Sequence, residues 1–189
     1  EERDVPMVCM ISRLANQKGF DILANAMERI MENDIQFVVL GTGEKEYEDM
    51  FRYYEDRWKG RVCSCMMFDD TLAQKIYASG DMFLMPSRFE PCGLGQMFSL
   101  RYGTVPIVRK TGGLADTIKH FDCDTEEGNG FVFETYDAGG ILWALSEALK
   151  VYAMPEKWEK LVKNCMNSQL SWENSAEKYI ELYKEMLNK

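Results

Sequence analysis

Short apolar runs alternate along this chain with longer segments of helical periodicity, and this alternation constrains the fold more than any other feature of the sequence. Apolar runs of strand length occupy residues 5–11, 36–40, 61–66, 82–85, 105–108 and 130–133. Segments whose apolar residues recur with a helical period occupy 20–31, 44–57, 72–79, 94–102, 138–152, 156–166 and 172–187. Because strands that alternate with helices form parallel β-α units, the sequence predicts an α/β fold, a Rossmann-like doubly wound parallel sheet.

Three loops of this predicted sheet are candidates for a functional site. They occupy residues 12–19, 86–96 and 110–117, and each follows a predicted strand. All three are rich in Gly, Ser, Thr or charged residues. Open α/β sheets bind ligands at the carboxyl ends of their strands, so we expect these loops to meet around one ligand.

Arg13 and Lys18 place two cations in the first of these loops, just before a predicted helix. A helix N-terminus suits a phosphate group, because its dipole and free backbone N–H groups add to the charge of the side chains. Arginine binds phosphate oxygens with its planar fork, and lysine adds a point charge. A solvated basic loop explains the same two residues equally well.

Glu90 is held between Phe89 and Pro91 in the second loop, which also contains two glycines. Such a constrained turn lets backbone N–H groups approach a ligand closely. A fixed carboxylate at this place can accept hydrogen bonds from sugar hydroxyls or face a developing positive charge. The alternative is that Glu90 pairs with Arg88 or caps the next helix.

Gly112 and Gly113 stand in the third loop, at the entry to a helix. A pair of glycines there can form a nest of backbone N–H groups of the size of a phosphate. A plain tight turn explains the pair nearly as well.

Several classes of protein are excluded by motifs or composition. Gly41-Thr42-Gly43 begins like a dinucleotide fingerprint, but Glu46 stands where the third glycine is required, and no P-loop motif is present. A net charge of −9 argues against a nucleic acid partner, because phosphate backbones need clustered Lys and Arg. The apolar runs are too short to cross a membrane, and no basic-then-apolar leader opens the chain, so we expect an unsecreted protein without a membrane partner.

The six cysteines show none of the usual zinc-ligand spacings. Several lie in apolar runs, where a reduced thiol packs as a small hydrophobic group. Cys63 and Cys65 are two residues apart and share one face of a predicted strand, which leaves a metal or redox role as the less favoured interpretation. We therefore expect no metal site and a reducing cytoplasm.

Four stretches of the sequence, in this order and spacing, resemble the C-terminal domain of bacterial glycogen synthases and plant starch synthases, which use ADP-glucose. The matching stretches are SRLANQKGFD, GTGE, PSRFEPCGLGQ and RYGTVPIVRKTGGLADT. The resemblance implies the C-terminal half of a GT-B glycosyltransferase, in which two Rossmann-like domains face each other across a cleft. We accordingly expect residues 1–189 to form a single nucleotide-sugar-binding domain with a helical C-terminal segment at 155–189, the N-terminal acceptor domain being absent.

The resemblance also implies roles for individual residues. Arg13 and Lys18 are expected to bind the donor's diphosphate and stabilise it as the leaving group. Glu90 is expected beside the glucose ring, where it stabilises an oxocarbenium-like transition state. Phe68 takes the position where relatives place an aromatic ring against adenine, and a buried core phenylalanine is the alternative. The other expected donor-binding residues are Cys92, Gly93, Leu94, Gly95, Thr111, Gly112 and Gly113.

Two positions depart from the pattern of the synthases, and a third separates them from other glycosyltransferases of the same fold. Relatives often carry threonine at position 95 and tyrosine at position 68, where this chain has Gly95 and Phe68. Many glycosyltransferases of the same fold carry a second glutamate eight residues after the first, and Phe98 at that position favours the synthases.

The activity implied by the resemblance is transfer of glucose from ADP-glucose to the non-reducing 4-hydroxyl of an α-1,4-glucan with retention of configuration. No cofactor is implied, and the partners are ADP-glucose or ADP and, through the missing N-terminal domain, the glucan. The chain by itself is expected to be inactive, and its location the cytoplasm, or the plastid if it comes from a plant. Two alternatives stay open: a non-catalytic nucleotide-binding module, and a retaining glycosyltransferase of this fold with another acceptor.

Overall fold

The structure is a computed structural model that describes residues 5–187, and this part of the chain contains six strands and nine α-helices. The strands are β1 (Met7–Ile11), β2 (Gln36–Leu40), β3 (Val62–Cys65), β4 (Met82–Met85), β5 (Val105–Arg109) and β6 (Phe131–Phe133). The helices are α1 (Phe20–Ala24), α2 (Met27–Ile30), α3 (Lys45–Arg57), α4 (Asp70–Ser79), α5 (Gly95–Tyr102), α6 (Gly112–Thr117), α7 (Ala138–Tyr152), α8 (Pro155–Met166) and α9 (Trp172–Leu187). One turn of 3-10 helix at Asn16–Lys18 precedes α1.

All six strands run parallel in one sheet, in the order β3-β2-β1-β4-β5-β6. The chain first builds outward from β1 to β3 and then crosses to the other side of β1 for the remaining three strands. This is the strand order of a Rossmann-type sheet, so the predicted fold class is confirmed. The order reverses between β1 and β4, which is where such sheets bind ligands.

Both faces of the sheet are covered, which explains why its strands are apolar throughout. Successive side chains of a strand point to opposite faces. Val8 and Met10 of β1 accordingly belong to the larger core, whereas Cys9 packs with Phe83 and Tyr77 in a smaller core beneath α4. Parallel strands buried on both faces need apolar side chains at every position rather than at alternate ones.

The segment at 20–31 was predicted as a single helix, and the structure corrects this to two short helices, α1 and α2. The side chain of Asn25 donates from Nδ2 to the carbonyl oxygen of Asp21 at 3.1 Å. The N–H of Ala26 bonds to Leu23, three residues back, instead of four. A short polar side chain that bonds the backbone competes with the helical ladder in this way. The residues of this segment that face the core are Phe20, Ile22, Leu23, Ala26, Met27, Ile30 and Met31.

The C-terminal segment predicted at 155–189 is helical in α8 and α9, and residues 188–189 lie outside the described ones. Helix α8 is anchored to the core by Leu161 and Cys165, whereas α9 has no buried residue. Between residues 5 and 187, no helix combines the length and the apolar character that crossing a membrane requires.

Candidate functional site

A cleft of about 320 Å³ opens at the carboxyl ends of β1 and β4, where the strand order reverses. Its walls come from the loop after β1, the loop after β4 and the first turn of α5. The predicted site residues that line it are Arg13, Lys18, Glu90, Gly93, Leu94 and Gly95. The first two candidate loops therefore meet at one site, as their positions after neighbouring strands require.

Lys18 and Glu90 form an ion pair at the centre of this cleft. The Nζ atom of Lys18 lies 2.5 Å from Oε2 of Glu90, and the two side chains are only 21% and 10% exposed. Ser87 Oγ lies 3.5 Å from the same carboxylate oxygen. Arg88, the partner considered for Glu90 from the sequence, instead pairs with Asp21 at 3.0 Å. Glu90 is thus held by a residue of the other loop.

Arg13 contributes a second cation, and its guanidinium makes no hydrogen bond or ion pair to any residue from 5 to 187. The side chain is exposed and lines both the cleft and a neighbouring, larger cavity. A cation without a protein partner can bind an anionic ligand without first breaking an ion pair. Arg13 therefore stands where an anion could bridge the two cavities.

The larger cavity has a volume of about 540 Å³ and lies at the carboxyl ends of β1, β2 and β3. Its walls are the Gly41–Gly43 loop and the segment from Met67 to Asp70, and Ala73 of α4 closes one side. Phe68 lines this cavity and is 83% exposed, so it is not the core phenylalanine that the alternative interpretation required. An exposed aromatic ring beside an open cavity is suited to stacking against a planar group.

The N-terminus of α5 opens onto the cleft. Leu94, its N-cap residue, provides no capping hydrogen bond from its side chain. The first N–H groups of a helix have no partner within the helix, so they are donors for a ligand. The preceding turn is held by Gln96, whose buried Nε2 donates to the carbonyl oxygens of Cys92 at 3.0 Å and Gly93 at 2.9 Å. Gly93 has a φ of +75°, which favours glycine.

The third loop, at residues 110–117, packs against the backbone of the second loop, at residues 86–96. The N–H of Gly113 donates to the carbonyl oxygen of Glu90 at 3.0 Å, so it is not free for a phosphate. The nest predicted from the two glycines is therefore not formed by Gly113. A Cβ atom on Gly112 would lie 2.1 Å from the Glu90 carbonyl oxygen, and one on Gly113 would lie 2.0 Å from that of Cys92. Direct contact of Thr111, Gly112 or Cys92 with a ligand stays a prediction, because none of the three lines the cleft.

A cluster of four side chains holds the backbone just before Glu90. Arg109 donates from Nη1 to the carbonyl oxygen of Arg88 at 2.7 Å and, at 3.4 Å, to that of Ser87. The guanidinium carbons of Arg88 and Arg109 lie 4.8 and 5.2 Å from the centre of the Tyr136 ring. Tyr136 donates its hydroxyl proton to Asp21 at 2.6 Å. We name these four residues, Asp21, Arg88, Arg109 and Tyr136, the Tyr136 cluster.

The cluster favours the ionised form of the Asp21 carboxylate. Partial burial acts to raise the pKa of Asp21, but the hydrogen bonds from Tyr136 and Arg88 outweigh it and hold that pKa below its usual value. Sequence reasoning missed this cluster, because its members are spread over 115 residues between Asp21 and Tyr136. No local motif indicated that they meet.

Metal ligands are not grouped in the part of the chain that the structure describes. Residues 5–187 contain no set of three His, Cys, Asp or Glu side chains placed to hold a metal ion. The site's charge is instead carried by Arg13, Lys18 and Glu90.

Comparison with known proteins links this geometry to sugar transfer. The family described as "Glycosyl transferases group 1" matches residues 1–164. A glycogen synthase from Kosmotoga olearia is 55% identical over 98% of this chain, and one from Fervidobacterium nodosum is 54% identical over 100% of it. The chain spans 39% of the length of each of these relatives. The resemblance to glycogen synthases is therefore confirmed.

Solved structures agree with this comparison. The catalytic domain of starch synthase IV from Arabidopsis thaliana, bound to ADP and acarbose, is 40% identical and superimposes with a TM-score of 0.87 over 100% of this chain and 40% of its own. A sucrose-phosphate synthase from Thermosynechococcus elongatus, at 22% identity and a TM-score of 0.73 over 98% of this chain and 46% of its own, shares the fold.

Proposed function

The chain belongs to the group 1 glycosyl transferases, and on that premise we propose that it is the donor-binding part of a glucosyltransferase that extends a glycogen- or starch-type glucan. The observation that carries the proposal is the meeting of Arg13, the Lys18–Glu90 pair and the open N-terminus of α5 in one cleft. The similarity to glycogen synthases supports ADP-glucose as the donor.

The two cavities divide the donor between them. The adenine occupies the larger cavity and stacks on Phe68, whose ring is exposed there. The diphosphate lies at Arg13, where the linings of the two cavities meet, and is bound by Lys18 and the first N–H groups of α5. The glucose ring then lies in the smaller cleft beside Glu90.

The chemistry follows from where charge develops. As the bond between glucose and phosphate breaks, negative charge grows on the phosphate and positive charge on the sugar ring. Arg13 and Lys18 stabilise the first, and the Glu90 carboxylate stabilises the second. The 4-hydroxyl of the glucan attacks from the face that the phosphate leaves, which retains the configuration, and the departing phosphate accepts the hydroxyl proton.

The acceptor glucan is held by a part of the whole protein outside these 189 residues, so this chain is expected to bind donor without extending glucan. We place the enzyme in the cytoplasm, or the plastid if it comes from a plant. The six cysteines, all present as free thiols, support a reducing compartment.

Calorimetric titration of this chain with ADP and with UDP tests the donor site. We expect ADP to bind more tightly than UDP, and Lys18→Ala to weaken ADP binding by at least about tenfold through loss of a charge-assisted contact. The matched control is Lys163→Ala, because Lys163 pairs only with Glu159 on the exposed side of α8 among residues 5–187. Equal losses in the two variants would show that the anion site is misplaced.

Glucan extension by the whole protein tests the reaction. Incorporation of glucose from ADP-glucose into an α-1,4-glucan supports the proposal. Binding of ADP-glucose without extension of any glucan would favour the non-catalytic module, and transfer to a different acceptor would favour another retaining glycosyltransferase.

A further inference from the structure

Two cysteine thiols lie close together on β3, the outermost strand of the described sheet. Cys63 and Cys65 stand on β3, and their Sγ atoms are 3.8 Å apart. Cys63 is exposed to solvent on one side and partly desolvated by the surrounding protein on the other, and both cysteines are free thiols. Among residues 5–187, β3 is the outermost strand of the sheet and pairs with β2 alone. The Glu55 carboxylate accepts a hydrogen bond from the Ser64 N–H at 3.2 Å, whereas the Cys63 thiol is exposed to reagents.

The spacing of these cysteines is at the upper limit for a disulfide. Two residues of an extended strand advance the chain by about 6.6–6.8 Å, whereas the Cα atoms of a disulfide are usually about 4.4–6.8 Å apart. A bond between Cys63 and Cys65 is therefore within reach, but it draws the end of β3 together.

The end of β3 is also the support of the larger cavity. The carbonyl oxygen of Cys65 accepts hydrogen bonds from the N–H of Gly41 at 3.1 Å and from the N–H of Met67 at 2.9 Å. Gly41 and Met67 both line the cavity, and Phe68 follows directly. A contraction at Cys65 therefore moves both walls against which the nucleotide is proposed to bind.

We propose that Cys63 and Cys65 are a thiol modification site, oxidised to an intrachain disulfide by a small-molecule disulfide, and that this bond weakens nucleotide binding in the larger cavity. The second half of this inference rests on the proposed function. One cysteine thiolate attacks the small disulfide and releases one small thiol. The other thiolate then attacks the mixed disulfide and releases the second. The protein gives up two electrons and two protons, which the two released thiols carry.

The reaction needs a cysteine thiolate, and the surroundings of Cys63 keep its thiol mostly protonated at neutral pH. Burial, followed by the neighbouring Cys65 thiol and the Glu55 carboxylate, raises the pKa of Cys63 to about 11. We therefore expect exchange to be slow at neutral pH and markedly faster at about pH 9.

The test is oxidation of the reduced chain with glutathione disulfide at about pH 9, followed by intact mass and peptide mapping. We expect the chain to lose two hydrogens, and we expect this loss in the one peptide that contains both Cys63 and Cys65 linked to each other. Cys63→Ser and Cys65→Ser should each stop at a mixed disulfide, whereas Cys123→Ser, which removes a free cysteine elsewhere in the fold, should form the bond as the parent does. Absence of the linked peptide would overturn the proposal.

Two readouts test the consequence of the bond. ADP affinity of the oxidised chain should fall by at least about tenfold and return on reduction. Hydrogen exchange at residues 66–69 should rise on oxidation whether or not ADP binds, so the loop's response can be read even if the reduced chain binds no ADP and the proposed function fails. A disulfide that forms and changes neither readout would refute the coupling.

Discussion

At the scale of single residues, the two cations of the cleft differ in whether they already have an ion-pair partner. Lys18 is held by Glu90 at 2.5 Å, whereas Arg13 has no ion-pair partner from residue 5 to 187. A diphosphate that binds Lys18 competes with the Glu90 carboxylate, and moving the lysine leaves a mostly buried charge without its partner. Arg13 can bind a phosphate without breaking any contact.

Glu90→Gln should separate binding from catalysis. Removing the carboxylate charge frees Lys18 and removes a like charge near the phosphates, so ADP should bind this chain at least about threefold more tightly. If Glu90 has the proposed role, glucan extension by the whole protein should fall by about a hundredfold or more, because the carboxylate proposed to stabilise the transition state is lost. Titration and initial rates measure the two effects, with Glu159→Gln on α8 as the control. Weaker ADP binding in Glu90→Gln would contradict the competition described for Lys18.

Phe68→Ala should weaken ADP binding through loss of stacking. Stacking of a base on an aromatic side chain contributes about 1–3 kcal/mol, which corresponds to roughly 5- to 150-fold in affinity. Phe68→Tyr should keep the affinity because it keeps the ring. Trp143, which is 50% exposed on α7 and lines neither cavity of the donor site, provides the control as Trp143→Ala. A loss of affinity in Trp143→Ala equal to that in Phe68→Ala would argue against adenine in this cavity.

At the scale of elements, the site depends on loops that pack backbone against backbone. Gly19 has a φ of +82°, and a Cβ atom there would lie 2.0 Å from the carbonyl oxygen of Pro86. Gly112 and Gly113 approach the second loop from its other side in the same way. Glu90 is thus placed by close main-chain contacts from two neighbouring elements, in addition to the hydrogen bonds from the Arg109 side chain.

Gly113→Ala should therefore disturb stability and binding together. Its Cβ atom would overlap the Cys92 backbone, which a flexible side chain cannot relieve, and we expect a loss of about 2 kcal/mol or more in the free energy of unfolding. ADP affinity should fall as well, because the loop that carries Glu90 is displaced. Gly139→Ala is the matched control: it lies in the first turn of α7, meets only the Asp137 side chain at 3.1 Å or beyond, and should be neutral or slightly stabilising. Denaturant unfolding measures the stability of the two variants, and titration measures their affinity for ADP.

At the scale of the whole molecule, α9 stands apart from the core. None of its residues is buried, although several are large and apolar. Those exposed by about half or more are Trp172, Tyr179, Ile180, Leu182, Tyr183, Met186 and Leu187. A surface of this kind adds nothing to the stability of the sheet and favours contact with other apolar surfaces.

A variant that ends at Ser171 should keep the thermal unfolding midpoint of the parent chain, because removing exposed residues leaves the buried area unchanged. It should also self-associate less at high concentration, which sedimentation velocity measures. Leu161→Ala in α8 is the contrasting variant, since truncating that fully buried side chain should lower the free energy of unfolding by about 2–5 kcal/mol. A large loss of stability in the shortened variant would show that α9 packs on the core.

The sheet was predictable because strands covered on both faces are apolar runs, and six such runs were visible in the sequence. Arg13, Lys18 and Glu90 could be brought together in advance, because they follow β1 and β4, which adjoin at the point of reversal. The break at Asn25 was not predictable from periodicity, since the apolar residues keep their spacing across it.

The Tyr136 cluster shows why the rest of the site could not be predicted from the sequence. Asp21 and Tyr136 are 115 residues apart in the sequence. They meet beside Arg88 of the second loop only once the sheet has formed. The pairing of Glu90 with Lys18 rather than with nearby Arg88 likewise depends on the Tyr136 cluster, in which Arg88 is already bound. Sequence proximity favoured the wrong partner.

The linings of the two cavities have in common only Ile11, Ser12 and Arg13 among the described residues, and this separation bears on how the site could be redesigned. The loops that form the cleft beside Glu90 are fixed by close backbone contacts at Gly19, Gly112 and Gly113, where a Cβ atom would overlap a carbonyl oxygen. The larger cavity, by contrast, is shaped in part by the side chains of Met67, Phe68 and Ala73, two of which are well exposed. On the proposed division of the donor, a change of nucleotide preference can therefore be sought at positions 67–73 without altering the residues proposed to carry out the transfer.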